Sequence, residues 1–203
     1  MTSVPRILVL GIGNLLWADE GFGVRCVEAL AERYTLPDNV TAMDGGTQGL
    51  YLLPYVEEAQ CLLVFDAVDY GDPPGTLRVV TGSEVPRFMG AKKMSLHQTG
   101  FQEVLASAEL LGRLPEELVL IGCQPVELED FGGSLRDAVK AQIEPALAVA
   151  GEWLARWGAP LAPREGAGPR LNEGSLEMAN YEAGRPSEQE ACRFGDARFL
   201  QEG

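Results

Sequence analysis

The sequence predicts an α/β protein, a three-layer α/β/α sandwich built on a five-stranded, mostly parallel twisted sheet with one antiparallel strand. Strand-like segments alternate with segments of helical periodicity from residue 5 to residue 157, which favours a parallel sheet with helices on both faces. CLLVFDA at 61–67 is apolar except for its aspartate, as a strand buried on both faces should be. The eight residues VDYGDPPG that follow are too few for a helical crossover, so the next strand is expected to be antiparallel.

Hydrophobic periodicity predicts each element in turn. PRILVLG at 5–11 is an aliphatic run ending on glycine, which indicates a buried strand, whereas apolar residues in 22–34 recur at helical spacing. The predicted strands are 5–11, 40–43, 61–67, 76–81 and 118–123, and the predicted helices are 22–34, 48–57, 96–111 and 133–157. Pro145 falls inside the last of these helices, so a kink or a break is expected there.

Length and charge limit the possible functions. The 203 residues are 46% hydrophobic, which suits one core in one domain. Thirty acidic against 16 basic residues give a net charge of −14, which argues against nucleic acid and anionic membranes as partners, because both are bound by basic surfaces. The N-terminus lacks a signal-peptide pattern, and no apolar stretch reaches the roughly 18 residues of a membrane span. We therefore expect a cytoplasmic protein.

The cysteines and the C-terminal region suggest no chemistry of their own. Cys26, Cys61, Cys123 and Cys192 include no C-x-x-C pair, so neither a zinc knuckle nor a disulfide framework is expected. From Pro163 onward, large apolar residues are few and no periodicity is sustained. We predict a domain at 1–162 and a C-terminal tail at 163–203 that is disordered or bound to the surface and is dispensable for folding.

Carboxylates stand where ligands of α/β sheets bind, at the carboxyl ends of the predicted strands. The first strand enters a Gly-x-Gly turn like that of dinucleotide-binding proteins, but Leu16 occupies the third glycine position and Asp19 and Glu20 follow it. Carboxylates at this position would repel a phosphate. Asp44 follows the second strand and Asp66 closes the third.

His97 is the single histidine of the chain. Ser95 and Gln98 fit a capping box, which predicts a helix start with His97 in the first turn. The helix dipole disfavours imidazolium there, and neutral imidazole is the form that binds metals. Glu20, Asp66 and His97 together would make a mixed oxygen and nitrogen site, which nickel, zinc, cobalt and iron all tolerate.

Simpler roles remain open for each of these side chains. His97 can pack or donate a hydrogen bond without a metal, and Glu20 can interact with a helix dipole. Asp19 is interpreted as the N-cap of the helix that begins near Gly21. Asp66 is the hardest to explain without a ligand, because a carboxylate at the end of a buried apolar strand is costly unless it is paired.

Four segments, GIGNLLWADEGFGVR, DGGTQG, VFDAVDYG and SLHQTG, together resemble the hydrogenase maturation endopeptidases, which process the large subunit of nickel–iron hydrogenases. The resemblance runs from about residue 5 to residue 160, with the segments in the family's order. It implies that Glu20 of DEG, Asp66 and His97 of HQ contact nickel. The chain's length and extra C-terminal segment are similar to those of members that serve membrane-bound uptake hydrogenases.

The resemblance implies an endopeptidase that removes a short C-terminal extension from the large-subunit precursor after nickel insertion. Nickel would then arrive with the substrate, and other divalent metals could substitute. The oligomeric state is left open by the sequence, and a monomer is favoured. The family is often classed with aspartic-type peptidases, yet no paired-aspartate dyad is visible here. Glu20, Asp66 and Asp44 all remain candidates for the general base.

Two functions of other classes compete with this interpretation. A non-catalytic nickel chaperone or sensor would use the same three ligands and would bind metal without shortening a partner. A nucleotide-binding enzyme would place Asp44 on a ribose, but the missing third glycine and the Asp19–Glu20 pair argue against it.

Overall fold

The computed structural model describes residues 4–86 and 96–184, with residues 96–99 described by their backbone alone. The strands are β1 (Ile7–Ile12), β2 (Tyr34–Thr35), β3 (Val40–Gly46), β4 (Cys61–Ala67), β5 (Leu77–Thr81), β6 (Glu117–Cys123) and β7 (Ala162–Pro163). The α-helices are α1 (Phe22–Arg33), α2 (Leu53–Glu58), α3 (Leu96–Leu110), α4 (Asp137–Lys140), α5 (Ile143–Arg156) and α6 (Met178–Gly184). No helix within these described ranges is long and apolar enough to cross a membrane.

Five strands form one sheet in the order β3-β1-β4-β6-β5. The first four run parallel, and β5 pairs antiparallel with β6, with Leu77 opposite Cys123. The chain turns back before β5 without a helix, since the Gly75 N–H donates to the Gln124 carbonyl oxygen at 2.8 Å. The predicted α/β fold with one antiparallel strand is therefore confirmed.

Helices cover both faces of the sheet and bury two separate cores. Along β4, Leu63 and Phe65 face the layer of α1 and α5, whereas Leu62 and Val64 face α2 and α3. Because side chains alternate between the two faces of a strand, a strand covered on both sides needs apolar residues at every position. This double burial accounts for the apolar character of 61–67.

The single helix predicted over 133–157 is wrong before residue 137, and the break expected near Pro145 is confirmed as an interruption between two helices. Helix α4 spans only Asp137–Lys140, and α5 starts at Ile143. Pro145 is the third residue of α5, where a missing N–H costs no intrahelical hydrogen bond. If one continuous helix ran through residues 137–156, the ring of Pro145 would clash with the carbonyl of residue 141, four residues before it. The proline therefore favours a new helix start and does not kink an existing helix.

The buried cysteines behave as small hydrophobic residues. Cys26, Cys61 and Cys123 are free and buried, while Cys192 lies outside the described residues. Burial raises the pKa of the Cys61 thiol to about 11 and that of Cys123 to about 12. A thiol with so high a pKa is a poor nucleophile at neutral pH.

Residues 162–184, here called the C-terminal strap, lie across α1 and reach Lys140 of α4. Their first residues form β7, which pairs antiparallel with β2, and the Arg164 N–H donates to the Arg33 carbonyl oxygen at 2.8 Å. Leu171 and Met178 pack against the core on the α1 face, although no strap residue is itself buried. The predicted domain boundary at residue 162 stays a prediction, and residues 185–203 lie outside the described chain.

We predict that Gly23→Ala destabilises the fold by about 1–3 kcal/mol through overpacking. A Cβ at Gly23 would overlap the carbonyl oxygens of Ile12 and Phe65, which belong to two different strands. The matched control is Gly151→Ala in α5, whose Cβ would meet only the Leu161 side chain at an ordinary 3.7 Å. Alanine is the better helix former, so the control should be neutral or slightly more stable. Urea unfolding of both variants measures the difference, and equal stabilities would contradict the close contact.

Candidate active site

The turn after β1 brings Glu20 to the carboxyl end of the parallel sheet. The Gly13 N–H donates to the Gly46 carbonyl oxygen at 3.1 Å, so the turn is tied to the end of β3. Gly13 has a φ of 132°, and a Cβ there would overlap the carbonyl oxygen of Glu20. Glycine is needed on both counts. Glu20 then lies in the 3-10 helix Ala18–Gly21, directly before α1.

The Glu20 side chain is half-buried. Burial raises the pKa of its carboxyl group from 4.5 to about 7, because the charged form loses hydration. A cation brought next to this carboxylate would favour the ionised form again.

Asp66 is almost fully buried, with 2% of its surface exposed. Alternation along β4 places it on the same face as Leu62 and Val64, the face covered by α2 and α3. It lies opposite Gly122 of β6, and the Tyr70 ring covers Gly122 so closely that a Cβ there would overlap the phenol oxygen. Burial, and next the Asp66 charge, raise the pKa of Tyr70.

His97 is the second residue of α3, which confirms the predicted helix start, although the predicted cap Ser95 lies outside the described residues. The His97 side chain is also outside them. Helix α3 packs on the Asp66 face through Phe101 and Leu105, and a Cβ at Gly100 would lie 3.4 Å from the Gly49 Cα, just past the end of β3. The first turn of α3 therefore lies at the same end of the sheet as Glu20 and Asp66.

Among the described side chains, no group of three His, Cys, Asp or Glu residues is close enough to hold a metal ion. That set does not include the His97 side chain. The predicted ligand set of Glu20, Asp66 and His97 therefore stays a prediction, supported by the position of the three segments at one end of the sheet.

Asp44 lies on the opposite face from Asp66. Val40 and Ala42 of the same strand pack into the core beneath α1, and alternation carries Asp44 to that side. Its Oδ2 accepts a hydrogen bond from Asn172 Nδ2 of the C-terminal strap at 2.7 Å. Burial raises the pKa of the Asp44 carboxyl group, while the Asn172 bond opposes the rise.

Asp19 is not the N-cap of α1, contrary to the sequence prediction. Gly21 occupies the N-cap position, and α1 has no side-chain cap. Asp19 is fully buried, and its carboxylate accepts backbone hydrogen bonds from Val126 at 2.8 Å, Glu127 at 2.9 Å and Arg136 at 2.7 Å. The side chain therefore ties the loop 124–136 to the segment that carries Glu20.

An apolar contact borders the Glu20 segment on its outer side. Trp17 and Phe131 form a β-bridge and an edge-on ring contact, with 5.3 Å between the ring centroids. Leu16 and Phe131 are exposed, and the Gly132 N–H donates to the Leu16 carbonyl oxygen at 2.7 Å. Sequence periodicity does not reveal this pair, because the two rings come from loops more than a hundred residues apart.

The fold and the position of these carboxylates are those of an α/β enzyme whose ligand binds at the carboxyl ends of its strands. The family model described as hydrogenase maturation protease matches residues 24–153. The hydrogenase expression/formation protein HoxM of Azotobacter vinelandii is 65% identical over 198 residues, covering 98% of this chain and 96% of its own. The chain thus belongs to the hydrogenase maturation proteases, which are peptide hydrolases.

Two further relatives agree with this assignment. The hydrogenase expression/formation protein HupD of Rhodobacter capsulatus is 62% identical and covers 96% of this chain and 93% of its own. The solved structure of the hydrogenase maturating endopeptidase HybD from Escherichia coli superposes with a TM-score of 0.74 at 42% identity. That match covers 98% of the Escherichia coli chain but 78% of the present one, so about a fifth of this chain has no counterpart there.

We predict that Asp19→Asn lowers the free energy of unfolding by about 1–3 kcal/mol, because an amide group has one oxygen where three backbone N–H groups donate to the carboxylate. Asp38→Asn makes the same chemical change at an exposed position and should stay within about 0.5 kcal/mol of the parent protein. Denaturant unfolding of both variants is the measurement. An Asp19→Asn variant as stable as Asp38→Asn would rule out a structural role for the buried carboxylate.

Proposed function

We propose that this protein is the endopeptidase that removes a short C-terminal extension from the large-subunit precursor of a nickel–iron hydrogenase, after nickel has been inserted. Family membership supports the reaction class. The observation that carries the proposal is that Glu20, Asp66 and the first turn of α3, with His97, lie at the same end of the sheet. We propose that the Glu20 and Asp66 carboxylates and the His97 imidazole contact one ligand at this end of the sheet.

Nickel bound in the precursor is the proposed recognition signal, contacted by Glu20, Asp66 and His97. Two carboxylates and an imidazole suit a divalent nickel ion and leave coordination positions for groups of the precursor. Asp66 is buried and Glu20 is half-buried, and a cation beside them offsets the hydration that they lose. Nickel thus enters with the substrate, and other divalent metals can take its place.

Hydrolysis needs a water molecule positioned at the scissile carbonyl carbon and a base to accept its proton. Water oxygen forms the new bond to carbon, the C–N bond breaks, and the departing amine takes up a proton. Asp44 lies on the α1 face and accepts a hydrogen bond from Asn172, so we assign the base to Glu20 or Asp66, the two carboxylates of the proposed site.

The proposed partner is the precursor protein alone, without nucleic acid, in keeping with a net charge of −14. We propose that the enzyme acts as a monomer in the cytoplasm. The exposed Leu16 and Phe131 beside the Glu20 segment provide apolar surface next to the site.

Glu20→Gln should lower cleavage of the nickel-loaded precursor by about 100-fold or more, since loss of a group that only supports a metal ligand already costs 10–100-fold. Its thermal stability should be preserved, because the side chain keeps its shape. The control Glu109→Gln changes an exposed carboxylate on α3 and should cleave normally. Mass spectrometry of the precursor gives the rate for each protein. Normal cleavage by Glu20→Gln would remove Glu20 from the site.

Cleavage should require nickel in the precursor and His97 in the enzyme. The parent protein is expected to shorten the nickel-loaded precursor and to leave the metal-free precursor intact, whereas His97→Ala should shorten neither. The mass of the precursor after incubation is the measurement. Equal cleavage of both precursor forms would contradict nickel recognition. Nickel binding without any shortening would favour the chaperone or sensor instead.

A further inference from the structure

The C-terminal strap contacts the end of β3 and the loop 124–136, which both bind the segment that carries Glu20. It starts at the β2–β7 pair, where the Arg164 side chain donates to the Tyr34 carbonyl oxygen at 2.9 Å, and it ends at α6. Between these points it passes over α1, where the buried Arg25 donates to the Leu176 carbonyl oxygen at 2.6 Å. These contacts anchor the strap along its length.

Asn172 joins the strap to the end of β3. Its Nδ2 donates to Asp44 Oδ2 at 2.7 Å and to Glu28 Oε1 at 2.8 Å. An amide nitrogen carries two hydrogens, so one side chain serves both carboxylates. Arg25 completes the cluster, since its guanidinium donates to the other oxygen of Glu28 at 2.9 Å. Without the Asn172 amide, no donor would lie between the carboxylates of Asp44 and Glu28, and their negative charges would repel each other.

The end of β3 in turn contacts the Glu20 turn. Two residues after Asp44, the Gly46 carbonyl oxygen accepts the hydrogen bond from the Gly13 N–H at 3.1 Å. Gly13 lies directly against the carbonyl of Glu20, with no room for a Cβ between them. Hydrogen bonds and direct backbone contact thus run from Asn172 through Asp44, Gly46 and Gly13 to Glu20.

The far end of the strap binds the loop 124–136, which in turn donates hydrogen bonds to Asp19. Glu182 accepts hydrogen bonds from Ser134 Oγ at 2.8 Å and from Lys140 Nζ at 2.8 Å. Two residues past Ser134, the Arg136 N–H donates to Asp19, the neighbour of Glu20. The strap therefore forms hydrogen bonds with the end of β3 through Asn172 and with the loop 124–136 through Glu182.

We propose that the C-terminal strap positions the active site and that Asn172 is its positioning residue, acting through Asp44 on the turn that carries Glu20. This inference rests on the proposed function for its effect on cleavage. Its effect on the backbone at the end of β3 is independent of that function. Loss of the amide leaves the carboxylate of Asp44 without its strap partner, and the loop from Asp44 to Leu52 becomes free to open.

The test compares Asn172→Asp with Asn180→Asp in the full chain. The first variant sets a third carboxylate against Asp44 and Glu28. The second makes the same change at an exposed strap residue that donates to Gly174 and Glu177 and not to β3. Hydrogen exchange of the peptide 44–52 should become about tenfold faster in Asn172→Asp and stay at the parent rate in Asn180→Asp.

Cleavage kinetics supply the second measurement. For Asn172→Asp we expect a kcat about tenfold lower with little change in KM, because the catalytic turn is displaced and the docking surface is intact. Asn172→Ala removes the donors without adding charge and should show the same direction if the charged variant fails to fold.

Each result decides the inference. Unchanged exchange of 44–52 in both Asn172 variants overturns it, and so does faster exchange with a parental kcat. Equal effects of Asn180→Asp would mean that any added strap charge loosens the loop, which also overturns it. If the parent protein cleaves no precursor, the proposed function fails, and the exchange data still decide whether Asn172 holds the loop.

Discussion

The backbone of α1 and its preceding turn lies directly against the backbones of β1 and β4, and the position of the candidate site depends on this contact. Side chains at Gly11, Gly13 and Gly23 would each overlap a carbonyl oxygen of the neighbouring segment. Since no Cβ separates the segments, the turn that carries Glu20 is held at a fixed depth against the sheet. A helix standing at an ordinary distance would move Glu20 away from Asp66, the second-last residue of β4.

Two adjacent carboxylates differ in their burial and in their hydrogen bonds. Asp19 is fully buried, and three backbone N–H groups of a distant loop surround its oxygens. Such bonds to an ionised group are among the stronger ones in proteins and compensate for lost hydration. Glu20 is half-buried, and burial raises its pKa to about 7. Asp19 therefore organises the loop, while Glu20 retains the capacity to interact with a charged ligand.

The two faces of the sheet carry different groups. Asp66 and α3 share one face, and the proposed metal site lies at the end of that layer. Asp44, α1 and the C-terminal strap share the other, where Asn172 joins Asp44 to Glu28. Because β1 and β3 meet at the turn between these layers, a hydrogen bond on the strap side can set the geometry on the side of the site.

The sequence by itself determined the sheet, its antiparallel edge and the candidates Glu20, Asp66 and His97, because these depend on local patterns: periodicity, the short link before β5 and the order of the family's segments. Only the tertiary structure decided the partners of Asp19, the face on which Asp44 lies and its bond to Asn172. Those contacts join residues 107 to 128 positions apart. Contacts between side chains at such separations produce no periodic pattern in the sequence. Each partner taken alone is an ordinary polar residue in a loop or at a helix end.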